Sequence, residues 1–567
     1  MMLKTKQLVD LRSKPYHLQE QDMQWVEDTL EKMSTEEKIC HLFAPLGSNP
    51  DPDFLKNWVD KYKPGAVMFR PLPGKIIQSA HRVLQDASHI PLLLAANLED
   101  GGNGLVEEGT FYGKPLQVAA TDDEQSAYTL GAIAGKEAAA VGGNWAFAPI
   151  VDIDHNWRNP ITNVRTFGSD YERVLRMGKA YKKGFDLSGG AVSIKHFPGD
   201  GMDERDQHLH VTYNTLSVDE WMASYGKIYR ELIEEGVHSV MVGHIAFPAY
   251  SRKKGVPDKQ LKSATLSPEL LQDLLREELG FNGLIITDAT PMVAFATDEK
   301  RQHALPLAVA AGCDMILFTR HYDEDIESMR QGLQSGLVTE ERLHDAVRRI
   351  LGVKASLGLH KKEVLVPDVT ALNNIHCHEH VQAAKDLADN SITLVRDREN
   401  LLPVTSQKYK SIYLMPLGVT SDESVIKQLA RTLEQSGFTV SVQDTRRFSG
   451  EKAGQSLQGL KKEFDLALFV ALERTKSNRT HVRLNWNPFI ALDSPWFSTD
   501  IPTVFISLAN PYHLIDVPFV STFINAYSDN EATINVLVDK LTGKSDFKGI
   551  SPSDPYCGDR WDLHLYD

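Results

Sequence analysis

Short, unbroken apolar runs recur along the first part of the chain, at 41–44, 65–69, 91–96, 147–151, 191–194, 239–242, 283–287 and 314–318. Runs of this length without alternation predict strands covered on both faces, as in a parallel sheet. Helical patterns separate most of them. Ser34-Thr35-Glu36-Glu37 has the form of a capping box, and Ser267-Pro268-Glu269 places a cap, a first-turn proline and an acid ahead of an apolar-periodic stretch that Gly280 ends. Repeated strand–helix alternation predicts a (β/α)8 TIM-like barrel, with an open doubly wound sheet as the alternative. A second alternating series, with strands at 392–395, 411–415, 438–442, 466–470, 503–507 and 522–526, predicts a smaller three-layer α/β sandwich. The expected organisation is a barrel over residues 1–355, a linker over 356–385 and the sandwich over 386–567.

The 567 residues suit two domains, and 42% hydrophobic with 24% charged residues is globular composition. A net charge of −15 argues against a general nucleic-acid binder, which needs a basic face. Cys40, Cys313, Cys377 and Cys557 are widely spaced and form no disulfide framework or zinc pattern. Residues 1–7 contain no apolar leader core, and no apolar run is long enough to span a membrane, so a cytoplasmic chain without membrane partners is expected.

Polar residues gather where several strands end. Lys195-His196-Phe197-Pro198-Gly199-Asp200 leads to Asp206-Gln207-His208, in which a carboxylate and an imidazole are spaced for proton transfer. Asp288 follows 283–287 and reads as a nucleophile, a metal ligand or a helix cap. Asp152-Ile153-Asp154 with Arg165, and Asn97-Leu98-Glu99-Asp100, follow two further strands, and His244 lines the same barrel end. Charged donors and acceptors so gathered suit a hydroxylated ligand. The run His376-Cys377-His378-Glu379-His380 is not read as a metal site, because alternating residues in a polar linker rarely converge.

These motifs resemble glycoside hydrolase family 3, in its β-N-acetylglucosaminidase branch. The carriers are Lys195-His196-Phe197-Pro198-Gly199 with Asp206-Gln207-His208, the block from Ala264-Thr265-Leu266-Ser267-Pro268 to Thr287-Asp288, and Phe147-Ala148-Pro149-Ile150-Val151-Asp152 leading to Arg165-Thr166-Phe167-Gly168. The resemblance implies a retaining mechanism with Asp288 as nucleophile, His208 as acid/base and Asp206 as its dyad partner. It implies sugar contacts from Arg165, Lys195 and His196, and from Glu99 or Asp100, with no cofactor or metal. Two positions depart from the branch. Asp200 stands where His is common, and Gln207 stands where Ser is usual. Gln207 is expected to fill the acetamido space and bond a free 2-hydroxyl, favouring β-glucosides over 2-acetamido sugars. Because an imidazole base can be neutral, inorganic phosphate is expected as co-substrate, with water the rival acceptor and Arg70 or Arg205 as candidate anchors. A noncatalytic carbohydrate-binding protein would lack Asp288 or His208. A barrel enzyme for phosphorylated metabolites would carry glycine where Thr319-Arg320-His321-Tyr322-Asp323 has none.

Overall fold

The computed structural model describes residues 8–443, 455–488 and 490–559. Residues 1–7, read above for a leader, lie outside the described residues. The chain forms two compact units, and the division is not a single cut. The first unit runs to Cys377, but Tyr112–Ser126 and Trp157–Asp170 leave it and fold with the second, which takes the chain from His378 onward. The changeover falls within the stretch expected to link two domains. The two early segments carry no apolar run to mark them out.

The first unit holds β1 (Phe43–Ala44), β2 (Leu46–Gly47), β3 (Ala66–Phe69), β4 (Leu93–Ala96), β5 (Trp145–Ala146), β6 (Ala191–Phe197), β7 (Thr212–Tyr213), β8 (Ser239–Val242), β9 (Ile245–Ala246), β10 (Leu284–Thr287) and β11 (Ile316–Leu317). A parallel sheet runs in the order β10-β8-β6-β5-β4-β3-β2. Its ends meet. Thr287 N–H donates to Met315 O at 3.1 Å and Met315 N–H to Ile285 O at 3.1 Å, which joins β10 to β11, and β11 pairs with β1 through Phe43 and Ile316. β1 and β2 are halves of one strand interrupted at Pro45, whose carbonyl accepts from Met68 N–H at 3.1 Å. The result is a closed barrel of eight parallel strands, which explains the unbroken apolar runs, since every strand but the β2 half is buried inside and out. The barrel interior also holds a polar chain. Trp145 Nε1–H donates to Ser239 Oγ at 2.9 Å, and the Ser239 hydroxyl donates to Val192 O at 3.1 Å.

Three local expectations are corrected. The fourth strand lies at Trp145–Ala146 rather than at 147–151, where Pro149 has no N–H to donate to a ladder. β6 runs on through Lys195 and His196 to Phe197, held by Val151 N–H on Lys195 O at 2.9 Å and Gly243 N–H on Phe197 O at 2.9 Å. Ser267 does not cap the helix Glu269–Glu278 with its side chain, and that helix is widened, with Leu279 N–H reaching back to Leu274 O at 3.0 Å. The expected box at Ser34 is present, with Ser34 and Glu37 each accepting from the other's N–H.

The amino-terminal end of the barrel is locked by buried charge. Asp314 accepts from Arg276 at 2.8 Å and from Arg342, and Asp345 accepts from Arg342 at 2.9 Å and Arg349 at 3.0 Å. Arg276 Nη1 also donates to Phe281 O at 2.9 Å and to Gly283 O, so the guanidinium holds the turn before β10.

The second unit is built on β12 (Thr393–Asp397), β13 (Ser411–Leu417), β14 (Thr439–Val442), β15 (Leu466–Ala471), β16 (Thr503–Ser507) and β17 (Thr522–Asn525). Their order is β12-β17-β16-β15-β13-β14, with β12 antiparallel to β17 and the other pairs parallel. One face packs on the helices Ser424–Gln435 and Glu531–Leu541, the other on Leu460, Leu484, Phe497, Ile501 and Leu514. This is the expected three-layer unit.

Each unit buries a histidine that burial keeps neutral. His81 is 0% exposed with its pKa pushed down from 6.5 to about 4, and His513 is 0% exposed with its own pushed down to about 3. The unfolded chain takes up these protons near the ordinary value and the folded chain does not. Stability present above pH 6.5 is therefore lost as pH falls towards 4, at about 1.4 kcal/mol per pH unit per ring. Melting temperatures recorded from pH 7 to pH 4 are expected to fall less steeply for His81→Gln and for His513→Gln than for the parent protein.

Candidate active site

Side chains at the carboxyl ends of β4, β5, β6, β8 and β10 converge, the end where parallel barrels hold their chemistry. Asp152, six residues past the end of β5 and 1% exposed, is the anchor. Its Oδ1 accepts from the N–H of His196 at 3.1 Å and of Asp200 at 2.8 Å, and its Oδ2 lies 2.7 Å from His196 Nδ1. A carboxylate only accepts, so Nδ1 carries the proton and Nε2 faces Asp288 Oδ2 at 3.9 Å. Next along β6, Lys195 Nζ donates to Glu99 Oε1 at 2.7 Å and lies 3.4 Å from Asn97 Oδ1, which ties the end of β6 to the turn after β4 that also carries Asp100.

Asp288 directly follows β10. Its N–H donates to Val242 O at 2.8 Å, and its Oδ1 accepts from Ala289 N–H at 2.7 Å. The next helix starts only at Val293, with Met292 before it, so Asp288 is not a helix cap. Its Oδ2 is buried without a hydrogen-bond partner among the described residues. Burial by itself raises the pKa of this carboxyl. The rings of His196, His244 and His208 and the Ala289 N–H outweigh it and hold Asp288 below the usual carboxylate range. Asp288 is therefore an ionised carboxylate with one oxygen uncommitted, the state a nucleophile needs.

The irregular loop after β6 brings the dyad. His208 Nδ1 lies 2.6 Å from Asp206 Oδ1, which also accepts His208 N–H at 2.8 Å. The carboxylate fixes the proton on Nδ1, which leaves Nε2 as the ring atom open to exchange a proton. Val293 N–H donates to His208 O at 3.0 Å, fastening this loop to the segment after Asp288. His244 is 0% exposed, and burial pushes its pKa down. Its Nε2 lies 3.2 Å from Ala289 O and its Nδ1 3.0 Å from Thr265 Oγ1; a carbonyl only accepts, so Nε2 carries a proton and steadies the backbone beside Asp288.

Gln207 is 0% exposed, and its Nε2 donates to Asp200 Oδ2 at 3.0 Å. The two departures from the branch pattern are thus hydrogen-bonded to each other. Arg165 lies on Trp157–Asp170, which folds with the second unit. Arg205 spends Nε and Nη2 on Asp203 at 2.9 and 2.6 Å, whereas Arg70 sits exposed just past β3. No group of three or more His, Cys, Asp or Glu among the described residues is arranged to hold a metal. Sequence reasoning noticed Asp152 and Asn97 as strand-end residues but not the hold of Asp152 on His196, and it gave Thr265 no contact in the site.

Residues 34–353 match the glycosyl hydrolase family 3 N terminal domain. A Cellulomonas fimi β-N-acetylglucosaminidase/β-glucosidase is 40% identical over 98% of this chain and 100% of its own. A solved β-glucoside phosphorylase, BglX, bound to 2FGlc, is 44% identical with a TM-score of 0.93 over 97% of this chain and 99% of that one. A β-N-acetylglucosaminidase from Paenibacillus sp. str. FPU-7 shares the fold, with a TM-score of 0.79 at 24% identity over 92% of this chain and 99% of that one. With the matched domain spanning the barrel that carries Asp288 and the Asp206–His208 pair, the chain belongs to glycoside hydrolase family 3 and is an enzyme.

Proposed function

We propose that this enzyme is a retaining β-glycoside phosphorylase acting on β-glucosides. The observation that carries the reading is the 2.6 Å contact between His208 Nδ1 and Asp206 Oδ1 in a site whose nucleophile is Asp288. In the first step Asp288 Oδ2 attacks the anomeric carbon, the glycosidic C–O bond breaks, and His208 Nε2 gives its proton to the departing oxygen. This leaves an α-linked glycosyl ester on Asp288 and a neutral imidazole backed by Asp206. In the second step a phosphate oxygen attacks the same carbon and Asp288 leaves as carboxylate. The product is a glycosyl phosphate with the β configuration retained, and any proton phosphate sheds passes to His208.

An imidazole in the acid/base role supports phosphate as acceptor. A second ionised carboxylate about 4 Å from a phosphate charge would oppose it by about 4 kcal/mol at an effective dielectric near 20, whereas a neutral ring does not. The name borne by the 44% identical BglX supports the same reading, and the β-glucosidase part of the Cellulomonas fimi enzyme's name supports the glucoside. The alternative is the same double displacement completed by water.

Incubating the enzyme with 4-nitrophenyl β-glucoside, with and without phosphate, and resolving the sugar products decides the acceptor. Glucosyl phosphate is expected to accumulate in phosphate. Free glucose released at a rate unaffected by phosphate identifies a hydrolase instead. Asp206→Asn leaves a ring with no carboxylate to fix its tautomer, and an about 10²–10⁴-fold loss of kcat is expected, smaller with dinitrophenolate, which departs without a proton. Because Asp288 is held below the usual carboxylate range, it stays ionised as pH falls towards 4. Inactivation by a 2-fluoroglucoside with a dinitrophenolate leaving group, a step that needs the nucleophile but no acid, is therefore expected to keep its rate from pH 7 to about pH 4.5.

A further inference from the structure

The bond between Asp200 and Gln207 gives the site a feature that the double displacement does not use. Asp200 is itself held firmly. Its N–H donates to Asp152 Oδ1 at 2.8 Å, its Oδ1 accepts Gly201 N–H at 2.7 Å, and its carbonyl accepts the Tyr225 hydroxyl. Its remaining Oδ2 takes Gln207 Nε2, so the amide of Gln207 is fixed with its donor committed. The oxygen is left over. Gln207 Oε1 is buried with no hydrogen-bond partner among the described residues. It rests against Gly243, the residue after β8, where a Cβ would come within 2.8 Å of it.

That location is next to the chemistry on two sides. Asp206 and His208 flank Gln207 in the chain, and Val242, beside Gly243, accepts the N–H of Asp288 at 2.8 Å. Asp288 bonds to the anomeric carbon, so the nearest ring substituent to that bond is the one on C2. Asp288 Oδ2, which the anomeric carbon must reach, is buried in the same sense as Gln207 Oε1, so burial does not set the amide oxygen apart from the site.

We propose that Asp200, Gln207 and Gly243 form one unit that reads the substituent on C2 of the sugar. Gln207 Oε1 accepts from a free 2-hydroxyl, and the amide occupies the volume that a 2-acetamido group requires. Asp200 is a positioning residue that aims the amide, and Gly243 supplies the space in which the oxygen sits. This deepens the glycoside reading above and rests on it.

The test is kcat/KM on 4-nitrophenyl β-glucoside, its 2-deoxy analogue and the β-N-acetylglucosaminide, for the parent enzyme, Gln207→Ser and Gly243→Ala. The parent is expected to prefer the glucoside over the acetamido sugar by about 10-fold or more, and Gln207→Ser to shift that ratio by about 10-fold or more towards the acetamido sugar. Loss of the 2-hydroxyl is expected to cost the parent more than it costs Gln207→Ser, with Gly243→Ala in between because its Cβ displaces Oε1. Ratios unchanged within about 2-fold in both variants overturn the proposal, since these are comparisons within one enzyme and do not depend on the folded fraction. If the parent turns over none of the three glycosides, the glycoside reading itself fails, and the proposal with it.

Discussion

The site depends on one carboxylate whose two oxygens are committed to its neighbours. Asp152 gathers two backbone N–H groups and one ring N–H onto its oxygens, and each fixes a different part of the site. The ring bond turns His196 towards Asp288. The N–H of Asp200 fixes the start of the loop that returns with Asp206 and His208. Charge-assisted bonds of this kind are strong when both partners are buried, and an acceptor that satisfies three donors leaves the loop few other arrangements. Asp288 then lies within reach of a histidine that lowers its pKa, and His208 arrives on a loop whose other end is pinned by Val293 N–H on the His208 carbonyl.

The two ends of the barrel use charge in opposite ways. At the amino end, Arg276, Arg342 and Arg349 share Asp314 and Asp345, and Arg276 also caps backbone carbonyls of the turn before β10. Removing one partner from such a cluster leaves an uncompensated buried charge, so this end resists change. At the carboxyl end, Asp288 Oδ2 and Gln207 Oε1 are buried acceptors without partners among the described residues.

Much of this was legible in the chain. Continuous apolar runs located the strands because parallel strands are covered on both faces, and 503–507 coincides with β16 residue for residue. Asp206 and His208 are two residues apart, so their pairing is local and readable. What escaped depends on contacts between distant segments. Asp152 and His196 are 44 residues apart and Lys195 and Glu99 are 96 apart, so no local pattern joins them. The fourth strand was placed too late because its apolar run continues through Pro149, where hydrophobicity persists but the hydrogen-bond donor does not. Gln207 was read as a sugar contact by its place in the motif, while its bond to Asp200 turns on a side-chain orientation that spacing does not encode.

The two early segments that fold with the second unit bear on how the chain is made. Gln117 Nε2 donates to Thr533 Oγ1, a partner 416 residues further along. At synthesis rates of roughly 5–20 residues per second, Gln117 waits ~20–80 s on the ribosome before that partner exists. The amino-terminal barrel cannot simply close and be finished as it emerges. Its nascent form must hold 112–126 and 157–170 out of its own packing, and a chain stopped short of the last strand and helix strands both segments without a fold to join.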